Sequence, residues 1–282
     1  MLSYRHGFHA GNWADVHKHT ALALLLLHLG RKDKPFCVLD AFAGDGAYDL
    51  AAPEALKTGE FAEGIARIWQ RGDAPAGADW YLDQVRALNA AGGLARYPGS
   101  PALARAALRD RDRLILGELH PAAHLALKRW AAGDRRISVH RRDGLEFLAA
   151  LLPPPVRRGL LLVDPAYEVK DEYERLPAAL SAAVRKWREG IFVVWYPVLD
   201  AGRHAAMIEA LARLPAPSGI LRAEIAPPAR PERGMSAAGV IVVNPPWRFA
   251  EDMQAAGDWL ARALWQDPPG RHALEWLAAA DA

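Results

Sequence analysis

The chain has 282 residues, of which 51% are hydrophobic and 24% are charged, so it can bury a substantial core and is not intrinsically disordered. Its formal net charge of +2 excludes a strongly basic nucleic-acid coat protein but permits a local basic patch. The single cysteine, Cys37, excludes an internal disulfide and a cysteine-based zinc site.

The beginning of the chain lacks the apolar region of a signal peptide. The longest apolar run, residues 21–29, contains His28 and is too short to span a bilayer. We therefore expect a cytoplasmic protein that does not associate with membranes, and we expect a monomer.

Short apolar runs of β type alternate with helical stretches along the chain. Strands are predicted at residues 36–40, 113–118, 137–140, 159–164 and 191–196, and helices at 124–132, 144–151, 171–188, 201–213 and 249–264. Two late runs, 220–225 and 239–243, leave no room for a crossover helix and are expected to pair antiparallel. Apolar strands that alternate with helices are typical of a parallel sheet covered on both faces.

The region between Tyr48 and Tyr97 breaks this alternation, because it contains helix-like sequence and no predicted strand. We interpret residues 48–96 as a small inserted helical subdomain; one long irregular loop is the alternative. Residues 1–47 and 97–282 are predicted to form the main α/β domain. We expect a Rossmann-like class I methyltransferase fold with a mostly parallel, seven-stranded sheet whose last strand is antiparallel.

In an open α/β sheet the ligand lies beyond the carboxyl ends of the strands. The first strand ends in Asp-Ala-Phe-Ala-Gly-Asp-Gly, residues 40–46, where Gly44 allows the backbone to approach a ligand closely. This turn lacks the three-glycine fingerprint of dinucleotide sites, and no phosphate-loop lysine follows it. It suits S-adenosylmethionine, which has no pyrophosphate; a plain glycine turn is the alternative.

Acidic residues end or follow three successive strands: Asp40, Glu118 and Asp143. Glu118 is placed to accept the ribose hydroxyls of a bound nucleoside, and Asp143, followed by Gly144, is placed to accept the adenine amine of a cofactor. Taken singly, each acid is better explained as a helix cap or a surface charge. Three of them at successive strand ends favour a nucleoside site.

The fourth strand ends in Asp164-Pro165-Ala166-Tyr167. Methylation of an amine on a conjugated ring needs acceptors for the two amine hydrogens, an aromatic face for the ring and a base turned out of its helix. Asp164 is predicted to accept one hydrogen, the Pro165 carbonyl the other, and Tyr167 to stack on the base. A strand-to-loop turn with a capping aspartate is the alternative.

A second segment, Asn244-Pro245-Pro246-Trp247, offers the same combination of an amide, prolines and an aromatic ring. It follows a strand predicted to be antiparallel, so it is expected at the edge of the sheet opposite the ligand. We interpret it as a structural turn.

The N-terminal segment is dense in polar aromatic and basic side chains. Four of these side chains can stack on bases or pair with phosphates: Tyr4, Arg5, His6 and Lys18. His17 and His19 are two residues apart and would not share a helix face, so no metal site is expected there.

Several segments resemble the RlmJ family of bacterial 23S rRNA adenine-N6 methyltransferases, and the likeness extends over nearly the whole chain. They are the opening MLSYRHGFHAGN, Asp15-Val16 and Lys18-His19-Thr20, KTGE at 57–60, GIARIW at 64–69, YPGSP at 97–101 and RGM at 233–235. The resemblance implies a Rossmann-like core with an inserted helical subdomain, S-adenosylmethionine as the methyl donor without a metal, and protein-free or partly assembled 23S rRNA as the substrate.

The resemblance also implies roles for individual positions. Cofactor positions of the family match at Lys18, His19, Ser100, Glu118, Asp143, Gly144 and Asp164. Catalytic and RNA-contacting positions match at Asp164, Tyr167, Tyr4 and His6. To these we add the Pro165 carbonyl, and Phe42 and Gly44 of the first turn.

Two residues depart from the family pattern. Ala166 stands where the family has a proline, which keeps the Pro165 carbonyl but loosens the loop, so we expect the chemistry to survive at a reduced rate. Phe42 stands where a histidine is expected; it can pack against a cofactor but cannot hydrogen-bond it.

Two other functions stay open. A DNA adenine-N6 or cytosine-N4 methyltransferase would use the same amine chemistry, although residues 48–96 are few for a DNA target-recognition region. A non-catalytic RNA-binding or ribosome assembly factor with a degenerate methyltransferase fold would account for Ala166 and Phe42. It would not account for four retained site residues, Glu118, Asp143, Asp164 and Tyr167.

Overall fold

The computed structural model describes residues 5–169, 171–229 and 234–280. The helices are α1 (Trp13–Gly30), α2 (Pro53–Thr58), α3 (Ala76–Leu88), α4 (Ser100–Ala107), α5 (Pro121–Ala131), α6 (Gly144–Leu151), α7 (Glu172–Lys186), α8 (His204–Leu211) and α9 (Phe249–Leu264). The strands are β1 (Cys37–Asp40), β2 (Ala47–Asp49), β3 (Arg96–Pro98), β4 (Arg113–Gly117), β5 (Ile137–His140), β6 (Gly159–Val163), β7 (Ile191–Val198), β8 (Ile220–Ala226), β9 (Ala237–Val243) and β10 (Arg271–Ala278). Short 3-10 helices cover His6–Phe8, Glu60–Glu63 and Ile65–Arg67.

The main sheet has eight strands in the order β10-β8-β9-β7-β6-β1-β4-β5. The strands from β7 to β5 run parallel, and β9 lies antiparallel between β7 and β8. The predicted α/β fold with a mostly parallel sheet is confirmed, and so is the antiparallel pairing of the two late strands. Because β9 runs opposite to β7 and β8, its carboxyl end lies at the edge of the sheet where the parallel strands begin.

The sheet differs from the predicted seven strands in having β10, which pairs antiparallel with β8 at the edge. Most residues of β10 are partly or fully exposed, so this strand lacks the continuous apolar run on which the other strands were recognised. A separate pair, β2 with β3, also lies where no strand was predicted. Each of these two strands has only three residues, which is too short for a periodic signal.

Apolar side chains of the central strands alternate between two cores, one on each face of the sheet. Leu160 and Leu162 of β6 face the core formed with α1, α3, α4 and α9, whereas Leu161 and Val163 face the core formed with α6, α7 and α8. Because both faces are covered, every residue of β6 is buried. This explains why the central strands read as unbroken apolar runs.

The segment between β2 and β3 is helical, as predicted for residues 48–96. Its longest helix, α3, buries Tyr81, Leu82 and Val85 in the same core as Leu22 and Leu25 of α1. The segment therefore contributes to the main core, and the division into a main domain and a subdomain remains an interpretation of the chain order.

The carboxyl ends of β1, β4, β5 and β6 lie side by side at one edge of the sheet, since these strands are parallel neighbours. The turns that follow them carry Gly44, Glu118, Asp143 and Asp164. Among the described residues, no helix is both long and apolar enough to cross a membrane. The same ranges bring together no group of three or more histidine, cysteine or acidic side chains suited to hold a metal ion.

Candidate active site

A cavity of about 330 Å³ opens at the carboxyl ends of β1, β4, β5 and β6. Ten of the residues predicted to bind cofactor or RNA, or to act in catalysis, line it: His6, Lys18, His19, Phe42, Gly44, Ser100, Glu118, Asp143, Gly144 and Asp164. Tyr4 lies outside the described residues. Pro165 and Tyr167 are not among the lining residues, although Ala166 between them is.

Glu118 holds the glycine turn that follows β1. One carboxylate oxygen accepts the amide hydrogen of Gly44 at 2.9 Å, and the other accepts that of His120 at 2.7 Å. Gly44 has a φ of +63°, and a β-carbon there would lie 2.2 Å from the Tyr48 hydroxyl oxygen. Burial raises the pKa of Glu118 despite these two amide donors. The acid predicted to bind ribose thus also fixes the shape of the cavity wall.

Asp143 and Gly144 form the wall after β5. Asp143 Oδ1 accepts the amide hydrogens of Leu145 at 3.0 Å and Glu146 at 3.2 Å, and so caps α6. A β-carbon on Gly144 would lie 2.1 Å from the tip of the Phe42 ring. Phe42 therefore rests on Gly144, and any side chain at position 144 would displace the ring from the cavity wall.

A buried chain of charged groups runs from the N-terminal segment to the end of β6. His6 Nε2 lies 2.8 Å from Asp15 Oδ2, Lys18 Nζ lies 2.7 Å from Asp15 Oδ1, and Lys18 Nζ lies 2.5 Å from Asp164 Oδ2. The side chains of Asp15 and Lys18 are only 3% and 4% exposed. Gly11 adds an amide hydrogen to Asp15 at 3.0 Å.

The members of this chain depend on one another for their charge. Burial opposes ionisation of Asp15, but the neighbouring His6 and Lys18 outweigh burial and hold its pKa well below the usual range. Burial likewise opposes protonation of Lys18, yet Asp15 and Asp164 raise its pKa above the usual value. Lys18 is therefore a fixed ammonium group between two carboxylates, and it sets the position of Asp164.

Two further buried networks support the cavity. Ser100 Oγ donates to Asp40 Oδ2 at 2.6 Å, and the Phe42 amide donates to Asp40 Oδ1 at 3.2 Å. Burial raises the pKa of Asp40 to about 7. His19 Nδ1 lies 2.8 Å from the Tyr97 hydroxyl, and burial lowers the pKa of His19 to about 3, so its ring is neutral at physiological pH.

Tyr167 does not lie where a base-stacking residue was expected. Its side chain is in the core, 7% exposed, with its ring centroid 4.4 Å from that of Tyr173. Its hydroxyl donates to the Trp195 carbonyl at 2.7 Å, and its φ is +55°, a left-handed backbone conformation. In this backbone conformation the Tyr167 side chain points into the core and not into the cavity.

Some cavity residues were not identified from the sequence. Glu172 and Arg129 line the cavity, and one carboxylate oxygen of Glu172 is buried without a hydrogen-bond partner. Asp15 carried one usable signal, because an acid three residues before Lys18 lies on the same helix face. Glu172 and Arg129 reach the cavity only through the tertiary fold.

Asn244 occupies a structural turn, as interpreted from the sequence. Its side-chain amide donates to the carbonyls of Arg188 and Gly190 at 3.0 and 2.9 Å, and its oxygen accepts the Ser218 amide hydrogen at 3.2 Å. These partners precede β7 and β8, so the turn lies at the amino edge of the parallel strands. His17 and His19 also point apart, as expected: the first faces His272 and the second Tyr97.

Comparisons with known proteins agree with this arrangement. A sequence model described as "Ribosomal RNA large subunit methyltransferase D, RlmJ" matches residues 33–278. The chain is 43% identical to ribosomal RNA large subunit methyltransferase J of Escherichia coli over 278 residues, 98% of this chain and 99% of the relative. It is 38% identical to the protein of that name from Haemophilus influenzae over 279 residues, with the same coverage.

The fold also matches a solved structure. The crystal structure of protein LPL1258 from Legionella pneumophila superposes with a TM-score of 0.88 at 34% identity, and the match covers 95% of this chain and 98% of that one. The sequence model covers the strands and the cavity residues from Ala41 onward but not His6, Lys18 and His19, and each of the two relatives matches 98% of this chain. The chain therefore belongs to the RlmJ family of ribosomal RNA large subunit methyltransferases.

Proposed function

We propose that the chain transfers a methyl group from S-adenosylmethionine to the N6 amine of an adenine in 23S rRNA. The observation that carries this proposal is the Lys18–Asp164 ion pair at the wall of the cavity, where an oriented carboxylate can meet an amine. The rRNA substrate is supported by membership of a family named for methylating large-subunit ribosomal RNA.

The cavity has the size and the chemistry that a nucleoside cofactor requires. Its volume of about 330 Å³ is within the range of small-molecule sites, and the acids that follow β4, β5 and β6 face it. Glu118 would accept the ribose hydroxyls, Asp143 the adenine amine, and Phe42 would pack against the adenosine part. Lys18, His19 and Ser100 would hold the remaining polar groups. S-adenosylmethionine, when bound, supplies a methyl group activated by a sulfonium charge.

Asp164 orients the attacking amine. The ion pair to Lys18 uses Oδ2, so Oδ1 can accept one hydrogen of the adenine amine. The Pro165 carbonyl, which does not line the cavity in the described conformation, accepts the second hydrogen once the loop rearranges. The two acceptors together localise the nitrogen lone pair toward the methyl group. After transfer the nitrogen is positively charged, and the Asp164 carboxylate takes up the released proton.

Tyr167 supplies the aromatic face for the base only after its loop rearranges. In the described conformation the ring is held by Tyr173 and by the Trp195 carbonyl. We propose that entry of a flipped adenine draws Tyr167 out of this position, and that Ala166, which is less restricted than proline, permits the change. The N-terminal Tyr4 and His6 would contact the RNA near the target base.

Two alternatives have distinct signatures. A DNA amino-methyltransferase would methylate DNA oligonucleotides in preference to RNA. A non-catalytic assembly factor is favoured by one observation, the burial of Tyr167 away from the cavity, and it would bind RNA without methylating it.

We propose a monomeric cytoplasmic enzyme that acts on protein-free or partly assembled rRNA.

The decisive experiment measures transfer of labelled methyl groups from S-adenosylmethionine to unmodified 23S rRNA fragments, with DNA of the same sequence as competitor. Asp164→Asn keeps the shape of the side chain but lowers its capacity to accept the amine hydrogen and removes its charge. We expect transfer to fall at least a hundredfold, the effect of losing a proton acceptor. Asp83→Asn, an exposed residue paired with Arg86, is the matched control and should transfer normally.

Equal transfer by Asp164→Asn and the native chain would overturn this mechanism. Preferential methylation of DNA would support the DNA alternative. Retained RNA binding without any transfer by the native chain would support the assembly-factor alternative.

A further inference from the structure

A second cavity, of about 140 Å³, lies at the amino edge of the parallel strands, opposite the active site. It is lined on one side by α1, through Leu24, His28 and Arg31, and on the other by Pro246 and Trp247. The five residues of β6 separate the two edges by about 17 Å, at roughly 3.3 Å per residue. A ligand in this cavity could not touch the reacting atoms.

Trp247 is the most exposed of the large hydrophobic side chains that the structure describes, at 76%. The turn beneath it is anchored, because Asn244 makes three hydrogen bonds to backbone groups before β7 and β8. The guanidinium carbon of Arg248 lies 5.5 Å from the Trp247 ring centroid. The Trp247 ring is thus exposed to solvent on an anchored turn and lies beside a cation. This arrangement is suited to stacking on another planar group.

The surface around this cavity is basic. Exposed or half-exposed cations surround the loop between α1 and β1: Arg31, Lys32, Lys34, Arg109, Arg111, Arg157 and Arg158. Four acids there are each paired with an arginine: Asp33 with Arg111, Asp112 with Arg109, Glu189 with Arg157 and Asp252 with Arg31. Lys32 and Lys34 have no carboxylate partner within the part of the chain that the structure describes.

We propose that this face is a second RNA-binding surface, on which an unpaired base stacks on Trp247 and the adjoining phosphates contact Arg31, Lys32 and Lys34. Bases stack on exposed aromatic side chains irrespective of sequence, and lysines bind the backbone phosphates. A protein partner is the less suited occupant, because lysine is depleted in protein–protein interfaces. The proposal rests on the RNA substrate of the proposed function and extends it: a long rRNA segment would contact both edges of the sheet.

Direct binding tests this surface without requiring methyl transfer. The probe is a fluorescein-labelled, unstructured oligouridine RNA, and its dissociation constant is measured by anisotropy. Trp247→Ala should weaken binding about tenfold, which is the scale of one lost base stack. Trp276→Ala is the matched control, since Trp276 is also exposed but does not line the cavity, and its dissociation constant should be unchanged.

Two further readouts identify the contact. Lys32→Ala with Lys34→Ala should reduce the slope of log Kd against log salt by about 1.4, or 0.7 for each phosphate contact on single-stranded RNA. Photo-cross-linking with an iodouridine-substituted RNA should attach to a peptide that contains Trp247. Unchanged affinity in Trp247→Ala together with cross-links confined to the active-site face would overturn the proposal, and a protein would then be the occupant to test.

The outcome is separable from the methylation mechanism. Loss of oligouridine affinity in Trp247→Ala supports the surface even if the native chain methylates no adenine. If the enzyme is active, Trp247→Ala should lower kcat/KM on long 23S rRNA fragments and leave it unchanged on a minimal hairpin around the target base.

Discussion

Replacing Lys18 by methionine tests whether the buried charge chain positions Asp164 or only stabilises the fold. Lys18 is 4% exposed and makes ion pairs of 2.7 Å to Asp15 and 2.5 Å to Asp164. Methionine fills a similar volume but leaves the buried Asp15 carboxylate without its lysine partner and with only His6 beside it. Removal of one partner of a buried ion pair destabilises a protein by about 3–5 kcal/mol, and we expect the free energy of unfolding to fall by this amount.

The dependence on pH follows from the direction of the Asp15 shift. In the native protein the pKa of Asp15 is below its unfolded value, so Asp15 stabilises the fold above the unfolded pKa, and this contribution is lost as the pH falls through the folded pKa. Without Lys18, protonation of the buried carboxylate becomes favourable. The deficit of Lys18→Met should therefore be largest near neutral pH and shrink in acid, as measured by urea unfolding.

The double variant Asp15→Asn with Lys18→Met separates the two roles. It removes the buried charge together with its partner, and we expect it to recover most of the lost stability. Methyl transfer should stay low, because Asp164 still lacks the ammonium group that sets its position. Native-like transfer by the stable double variant would refute the positioning role, and an unchanged urea midpoint in Lys18→Met would refute the energetic argument.

Three other changes test the cavity wall and its loop. Burial raises the pKa of Asp40 to about 7, so its ionisation is unfavourable and the native protein should lose stability as the pH rises from about 4 to about 7. Asp40→Asn cannot ionise and should not show this loss. Urea unfolding midpoints of both proteins across this pH range test the prediction. Gly44→Ala should destabilise the turn by about 1–2 kcal/mol and weaken S-adenosylmethionine binding in calorimetry, since φ is +63° and the added carbon would lie 2.2 Å from the Tyr48 hydroxyl oxygen. Tyr167→Phe loses the hydrogen bond to the Trp195 carbonyl and should lose about 1 kcal/mol of stability, but it should retain methyl transfer. Tyr167→Leu, which has no aromatic ring, should lose methyl transfer. Equal methyl transfer by the two variants would refute the stacking role.

The α/β order was predictable because the central strands are buried on both faces. The run Gly159–Val163 is apolar at nearly every position, and the reversal at β9 followed from the short connection after β8. The edge strand β10 was not predictable in this way. All eight of its residues are exposed or half-buried, so its sequence carries little apolar signal.

The positions of the cavity residues were largely predictable from topology. Because parallel strands end at one edge, acids at those ends had to lie close together. Glu118, Asp143 and Asp164 line the cavity, whereas Asp40 at the end of β1 is buried behind it and accepts a hydrogen bond from Ser100 of the lining. The orientation of Tyr167 could not be predicted, because it depends on packing against Tyr173 from α7. The approach of Lys18 to Asp164 spans 146 positions of the sequence, and no local pattern encodes it.

The central claim is tested most directly by the identity of the methylated nucleoside. Unmodified 23S rRNA would be incubated with the native chain and S-adenosylmethionine that carries a deuterated methyl group, then digested to nucleosides and analysed by mass spectrometry. We predict that the label appears in N6-methyladenosine and is absent when Asp164→Asn replaces the native chain. Label in a different nucleoside, or in N6-methyladenosine at the native level with Asp164→Asn, would contradict the account.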